Sequence, residues 1–150
     1  MEIVDFAPEH AGAFKALNEA WISKHFTFEA KDRELIEDPV GRIIERGGRI
    51  FMAVDGGRAV GCVAMLPMVD GGYEVSKMTV REDLRGSGLG RRLMQACIEA
   101  GKAAGARRLY LETNSALVPA IGLYGAMGFR RLAPAASEYA RADVFMELPL

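Results

Sequence analysis

The chain has 150 residues, of which 50% are hydrophobic and 26% are charged, and its formal net charge at pH 7 is −1. This balance is typical of a globular protein, and we expect residues 1–150 to form a single domain with one core. The near-neutral charge argues against a general affinity for nucleic acid or for an anionic membrane. No apolar run approaches the roughly 20 residues that span a bilayer, and the acidic N-terminus does not resemble a signal peptide, so we expect a cytoplasmic protein.

The first half of the chain predicts a short strand, two helical segments and an antiparallel meander of three strands. Pro8 opens the first helix, because proline suits a first turn, and Asp38–Pro39 interrupts the second helical segment. Two Asp-Gly-Gly sequences, at 55–57 and 70–72, are hairpin signals between strands. The predicted elements span residues 3–6, 8–22, 29–45, 50–54, 59–66 and 73–80.

The second half predicts helices that alternate with strands, at 88–104, 108–113, 116–127, 129–132 and 143–148. The complete order, β-α-α-β-β-β-α-β-α-β-β, belongs to the mixed α/β class. The helix at 88–104 has an apolar face, formed by Leu89, Leu93, Ala96, Cys97, Ala100 and Ala104. Both cysteines, Cys62 and Cys97, lie in apolar patterns, so we interpret them as small buried residues without a disulfide.

The most informative segment is the loop between the strand at 73–80 and the helix at 88–104. It holds three glycines, Gly86, Gly88 and Gly90, together with Arg85. Glycine allows backbone N–H groups to approach an anion, and the helix start adds unpaired N–H groups and the positive end of the helix dipole. The pattern predicts a phosphate-binding loop, and a tight turn with a purely structural role is the alternative.

Three kinds of phosphate-binding loop compete for this segment. A nucleotide P-loop requires a lysine after its last glycine, and none follows Gly90. A dinucleotide-binding loop places its glycines directly after the strand, whereas five residues separate Val80 from Gly86. The third pattern, Arg/Gln-x-x-Gly-x-Gly/Ala, is filled by Arg85, Gly88 and Gly90.

This third pattern, on a strand, loop and helix, resembles the acyl-CoA loop of the GCN5-related N-acetyltransferases (GNAT). The segments Leu111–Asn114 and Pro119–Phe129, with the ending Leu-Tyr-x-x-x-Gly-Phe about 35 residues after the loop, look like strand five, helix four and strand six of that family. The resemblance covers Arg58–Leu132 in detail and the rest by element order, and Arg141–Leu148 looks like the last strand of small bacterial members.

The resemblance implies the GNAT fold, a central, mixed, mostly antiparallel twisted sheet flanked by helices. It also implies transfer of an acetyl group from acetyl-CoA to an amine by direct attack in a ternary complex, without a metal. Consistent with this, neither histidine has a second ligand at metal-binding spacing. Members of the family often dimerise through sheet edges or last strands, which makes a homodimer compatible with the resemblance.

The resemblance assigns a cofactor site to the loop and to the strand before it. The backbone N–H groups of 86–91 would hold the pyrophosphate, and the pantetheine arm would lie along the strand at 73–80, which carries a bulge in the family and splays from its neighbour. Many members have Asn where this chain has Leu117, and Asn114 either replaces that contact or serves as a turn residue. The implied cofactor residues are Met78, Thr79, Val80, Arg85, Gly86, Ser87, Gly88, Leu89, Gly90, Arg91, Asn114 and Tyr124.

Three side chains are candidates for the chemistry. An alkyl amine with a pKa near 10.4 is mostly protonated at pH 7, so a carboxylate base is expected, and Glu74 occupies the place of the catalytic glutamate in histone-acetylating members. Glu112 occupies the place of the base proposed for ribosomal-protein N-terminal acetyltransferases. A structural carboxylate on a strand is the alternative for each. Tyr124 matches the tyrosine that protonates the departing thiolate, with plain packing as its alternative.

The acceptor site of the family involves the first two helices and the last strands, which makes Trp21, Phe26, Tyr139 and Arg141 candidate substrate-binding residues. Core packing is the alternative for the aromatic residues, and a surface ion pair for Arg141. A small-molecule amine is the favoured acceptor. A protein acetyltransferase acting on N-termini or lysines, and a non-catalytic acyl-CoA-binding module, are the other hypotheses.

Overall fold

The structure is a computed structural model that describes residues 1–150. Seven strands form one sheet in the order β1-β2-β3-β4-β5-β7-β6. In chain order the elements are β1 (Glu2–Asp5), α1 (Ala11–His25), α2 (Ala30–Glu37), β2 (Arg49–Asp55), β3 (Arg58–Pro67), β4 (Tyr73–Val80), α3 (Leu89–Ala103), β5 (Arg108–Thr113), α4 (Val118–Ala126), β6 (Arg130–Arg131) and β7 (Val144–Pro149).

Strands β1 to β4 form an antiparallel meander, as the two Asp-Gly-Gly turns predict. Strand β4 then pairs with β5 in parallel, and β7 lies antiparallel between β5 and β6. The sheet is therefore mixed and mostly antiparallel, which confirms the predicted fold class.

Both faces of the sheet are covered, and each has its own apolar cluster. On one face, Leu93 and Cys97 of α3 pack with Val63 and Leu111 of the sheet. On the other face, Phe14 of α1 and residues of α2 pack over Cys62 and Ala64. Because successive side chains of a strand point to opposite faces, β3 contributes to both clusters, which explains its continuous apolar run.

The predicted interruption at Asp38–Pro39 is confirmed. It divides the second helical segment into α2 and a short π-helix, Val40–Ile44.

Two other predicted elements differ from the structure. The strand predicted at 129–132 is reduced to the two residues of β6, because the chain leaves the sheet for the long connection to β7. The predicted apolar face of α3 is displaced: Ala104 lies beyond the helix end and is exposed, whereas Met94 and Ile98 are buried.

Both cysteines are buried and unpaired, as predicted. No helix of the structure is long and apolar enough to cross a membrane.

Candidate active site

Strand β4 carries a bulge and separates from β5. The register with β3 shifts between the pairs Cys62–Thr79 and Ala64–Ser76, which leaves one extra residue on β4. At this point Lys77 has a φ of 55°, and it is the only residue other than glycine with a positive φ in the chain. The pairing of β4 with β5 is confined to Tyr73–Leu109 and Glu74–Tyr110, so the remainder of β4 faces a gap.

The edge of β4 that faces this gap offers backbone hydrogen-bonding groups. The N–H of Arg81 donates to the carbonyl oxygen of Val60 on β3, at 2.8 Å. Because alternate residues of a strand bond to the same side, the N–H of Val80 points away from β3 and toward the gap. This strand edge is a template on which an extended chain can pair.

The loop between β4 and α3 presents backbone donors without partners. Gly86 and Gly88 have φ values of 79° and 88°, a left-handed conformation that glycine adopts at little cost. Gly88 is the N-cap of α3, and the first backbone bond across the helix start is donated by Arg92 to Gly88, at 3.2 Å. Among the N–H groups of residues 86–91, that of Ser87 donates to Leu84 O at 3.2 Å and the others have no backbone acceptor. Those of residues 88–91 lie at the positive end of the helix dipole. The loop therefore fits an anion such as a pyrophosphate.

A cavity of about 170 Å³ lies where β4 and β5 separate. We call it the gap cavity. Its walls are formed by β4, β5, the end of α1, the start of α4 and the segment before β7. Most of the predicted cofactor-arm and acceptor residues meet here: Met78, Thr79, Val80, Asn114, Tyr124, Trp21, Phe26, Tyr139 and Arg141.

Tyr124 of α4 is buried in the main core beside Phe129, with the two ring centroids 6.0 Å apart. Its hydroxyl makes no hydrogen bond within the protein. Since every fully buried polar side-chain atom has a hydrogen-bond partner, this hydroxyl is not fully buried. The hydroxyl is therefore open to the gap cavity that the residue lines. Burial raises the pKa of Tyr124 to about 12, which keeps the phenol protonated near neutral pH.

Glu74 lies on β4 in a second, wider cleft of about 580 Å³, which we call the outer cleft. Ser76, Glu112 and Tyr139 line both the gap cavity and the outer cleft, so the two spaces adjoin. Burial, followed by the charge of Glu112, raises the pKa of Glu74 to about 7. A carboxyl group with this pKa changes its protonation state near neutral pH.

Glu112 differs from Glu74 in its hydrogen bonds. One carboxylate oxygen accepts a bond from the Tyr110 hydroxyl at 2.8 Å, and the other accepts a bond from the Ser137 hydroxyl. Both oxygens are occupied by the protein, whereas the Glu74 carboxyl makes no hydrogen bond to another side chain.

A buried ion cluster joins the bulge to α2 and to the segment before β7. Asp32, which is fully buried, accepts bonds from Lys77 Nζ at 2.6 Å and from Arg141 at 2.7 and 2.6 Å. Burial alone would raise the pKa of Asp32, but Arg141 and Lys77 lower it to about 2. The Lys77 ammonium also lies 4.7 Å from the ring centroid of Tyr139.

The comparisons with known proteins agree on one family. A family model described as "Acetyltransferase (GNAT) family" matches residues 13–129. An "IAA acetyltransferase" of Azospirillum brasilense is 37% identical over 105 residues, which cover 68% of each chain.

The chain belongs to the GNAT acetyltransferase family.

Solved structures match this chain over nearly its whole length. An acetyltransferase of Staphylococcus aureus Mu50 matches with a TM-score of 0.89 at 17% identity, covering 99% of this chain and 98% of the other. An acetyltransferase of Salmonella typhimurium, solved with acetyl-CoA, matches with a TM-score of 0.80 at 20% identity, covering 99% and 93%. This GNAT protein is accordingly an acetyl-CoA-dependent N-acetyltransferase, and the unpaired N–H groups of the loop fit its pyrophosphate.

The residues of the predicted cofactor loop lie at the start of α3 and differ in exposure. Arg85, Ser87 and Arg91 are exposed beside the glycines, and Leu89 instead anchors the helix start in the core. Asn114 lines the gap cavity, but its side chain donates to Arg141 O at 2.7 Å and accepts from Ala116 N at 2.8 Å, which is the bonding of a turn residue.

Sequence reasoning did not identify Asp32 as part of this site. The signal available was weak: Asp32 follows Glu29 by three residues, and Glu29 N donates to its carboxylate at 2.9 Å in a capping box. Nothing local indicates that the partners of Asp32 would be Lys77 and Arg141, which are 45 and 109 residues away.

Proposed function

We propose that this enzyme transfers the acetyl group of acetyl-CoA to a primary amine of a small molecule, by direct attack while both substrates are bound. The observation that carries this proposal is the junction of the two spaces at β4. The gap cavity opens beside the strand edge and Tyr124, and the outer cleft opens beside Glu74. A donor in the first space and an acceptor in the second would meet at the bulge.

Glu74 is the proposed general base. An alkyl amine with a pKa near 10.4 is neutral in only about one molecule in 2,500 at pH 7, which costs about 4.6 kcal/mol. A carboxylate with its pKa raised to about 7 accepts the proton more readily than an ordinary glutamate, directly or through water. Glu112, whose oxygens are occupied, instead supports the raised pKa of Glu74 by its charge.

The backbone of β4 is the proposed oxyanion site. The N–H of Val80 faces the gap, and that of Met78 is two residues earlier on the same strand edge. Donors held in place by the sheet need no reorganisation as charge develops on the thioester oxygen, and one such donor contributes about 3 kcal/mol.

Tyr124 is the proposed general acid. Its hydroxyl opens to the gap cavity and remains protonated, because its pKa is about 12. The departing thiolate, whose thiol has a pKa near 8.5, would take this proton. Trp21, Phe26 and Tyr139 form the aromatic wall of the gap cavity and would enclose the reacting groups.

An acceptor screen tests the function. The full chain is incubated with acetyl-CoA and a panel of small amines, amino acids, peptides and lysine-containing proteins, and release of the CoA thiol is followed. We expect turnover with small primary amines and little with peptides or proteins, because the outer cleft, at about 580 Å³, has the size of a small-molecule site. Efficient turnover of peptide N-termini or lysines alone would contradict the small-molecule assignment.

A further inference from the structure

The outer cleft is lined by charged side chains of both signs. Glu74 and Glu112 line it from β4 and β5, and Arg42 and Arg46 line it from the short π-helix Val40–Ile44 and the turn that follows. Lys31 and Glu138 also line it. A cleft that holds both carboxylates and guanidinium groups is complementary to a molecule that carries both an amine and an anionic group.

Neither arginine has a partner within the protein. The ion pairs of the chain include no carboxylate within 4.0 Å of Arg42 or Arg46, and neither guanidinium makes a hydrogen bond. Lys31, the third cation of the cleft, has Glu34 at 3.8 Å and Glu138 at 3.7 Å. Two unpaired guanidinium groups on one wall repel each other, and an anion between them removes that cost.

The backbone that carries the arginines lies beside the strand next to Glu74. A Cβ on Gly48, two residues after Arg46, would lie 2.5 Å from Met65 O at the end of β3. The next residue of β3, Leu66, is the register partner of Glu74 on β4. The arginines and Glu74 therefore line one cleft from neighbouring parts of the fold.

We propose that Arg42 and Arg46 bind an anionic group of the acceptor, so that the substrate is a small primary amine that also carries a carboxylate or a phosphate. The inference rests on the proposed function, in which the amine lies at Glu74. Guanidinium groups bind carboxylate and phosphate through paired N–H donors, which positions the ligand as well as attracting it. The amine would then be directed toward Glu74 and the bulge.

Matched pairs of acceptors test the proposal. Each pair has one carbon skeleton: an amino acid and its carboxamide, or an aminoalkyl phosphate and its amino alcohol. We expect kcat/KM to be at least about tenfold higher for the anionic member of a pair, because hydrogen bonds to charged groups account for factors of roughly ten to a hundred. The pair with the larger ratio of anionic to neutral kcat/KM shows whether the site prefers a carboxylate or a phosphate. The preference should weaken at high salt, since the arginines are partly exposed.

Variants locate the preference in the cleft. The double change Arg42→Gln and Arg46→Gln should reduce the ratio of anionic to neutral kcat/KM to near one, chiefly through KM, and Arg42→Lys with Arg46→Lys should restore part of it. Arg58→Gln is the matched control, since Arg58 is an exposed arginine at the first position of β3, outside the cleft. It should leave the ratio unchanged.

Two results would overturn the proposal while the proposed function stands. One is equal kcat/KM for the anionic and neutral members of every pair with the unaltered enzyme. The other is a preference for anions that persists in the double glutamine variant. If the enzyme acetylates no small amine of either kind, the proposed function itself is wrong, and this inference is wrong with it.

Discussion

Tyr124 combines two properties that rarely occur together in one side chain. Its ring is packed in the core, and its hydroxyl has no hydrogen-bond partner in the protein. A buried tyrosine usually bonds its hydroxyl, because an unmade bond costs free energy. A hydroxyl left open toward the cavity between β4 and β5 is consistent with a proton donor.

The first prediction concerns this hydroxyl. Tyr124→Phe should lower kcat by about a hundredfold, the low end of general acid catalysis, because the thiolate is a fair leaving group without a proton. The melting temperature should change little, since no protein hydrogen bond is lost. Steady-state kinetics and thermal unfolding of the same preparation measure both quantities. Full kcat in the variant would remove Tyr124 as the acid.

Glu74 carries the second prediction, which concerns pH. With its pKa raised to about 7, kcat/KM should increase with pH around 7, below and apart from the titration of the acceptor amine near 10. Glu74→Gln should abolish this rise of kcat/KM near pH 7. Glu112→Gln is the matched carboxylate variant. It should instead move the rise of kcat/KM to lower pH, because it removes a charge that raises the pKa of Glu74. An unchanged profile for Glu74→Gln would exclude it as base.

As a part of the second prediction, the raised pKa of Glu74 also gives a change in stability with a definite sign. Because the pKa is raised in the folded state, the protonated carboxyl stabilises the fold below the unfolded pKa of about 4.5, and this contribution is lost as pH rises through 7. Glu74→Gln should therefore unfold at higher urea than the unaltered enzyme at pH 8, by about 1 kcal/mol, with little difference at pH 5. A difference that is equal at both values would contradict the raised pKa.

At the scale of elements, the strand–loop–helix from β4 to α3 has two separate demands. Gly86 and Gly88 must hold a left-handed backbone, and the N–H groups at the start of α3 must remain without partners. Both demands are local, so the spacing of the glycines predicted a phosphate-binding loop. The resemblance of this loop and of Pro119–Phe129 to the GNAT family then identified the cofactor as acetyl-CoA. The predicted apolar face of α3 left out Met94 and Ile98, although they follow Leu93 and Cys97 at helical spacing and are buried with them in the structure.

The third prediction separates these demands. Gly88→Ala should cost about 1–2 kcal/mol of stability, because alanine is strained at a φ of 88°, and should raise the KM for acetyl-CoA at least tenfold. Gly56→Ala, on the hairpin turn between β2 and β3, is the control: its φ is 57° and a Cβ meets nothing within 4 Å. Gly56→Ala should lose a similar amount of stability and leave the KM for acetyl-CoA unchanged. An unchanged KM for Gly88→Ala would contradict the role of the loop.

At the scale of the whole molecule, Asp32 connects three parts of the chain that sequence cannot place together. It joins α2 to the bulge through Lys77 and to the segment before β7 through Arg141. The order of the strands along the chain was predictable, because turn residues and periodicity mark them in the sequence. The long connection between β6 and β7 carries no such periodicity, and its position depends on pairing across the molecule.

Asp32 therefore supplies the fourth prediction. Asp32→Asn leaves the buried Lys77 ammonium without its anion, whereas the half-buried Arg141 keeps Glu29 at 3.2 Å. The change should cost about 3–5 kcal/mol of unfolding free energy. Urea denaturation measures this loss. Asp5→Asn is the control, because Asp5 pairs with Arg49 at an exposed site and its removal should change stability little. A loss for Asp32→Asn no larger than that of the control would contradict the role of the cluster.

The separation of β4 from β5 has a consequence for hydrogen exchange. Only two residue pairs join the strands, so the amide of Val80 lacks a sheet partner in the free protein and should exchange rapidly with solvent deuterium. The amide of Arg81, bonded to Val60, should exchange slowly. If the pantetheine arm pairs with the open edge, acetyl-CoA should slow exchange at Val80 and leave Arg81 unaffected. The cofactor would then act as a temporary eighth strand, and the enzyme would complete its sheet only while the acetyl donor is bound.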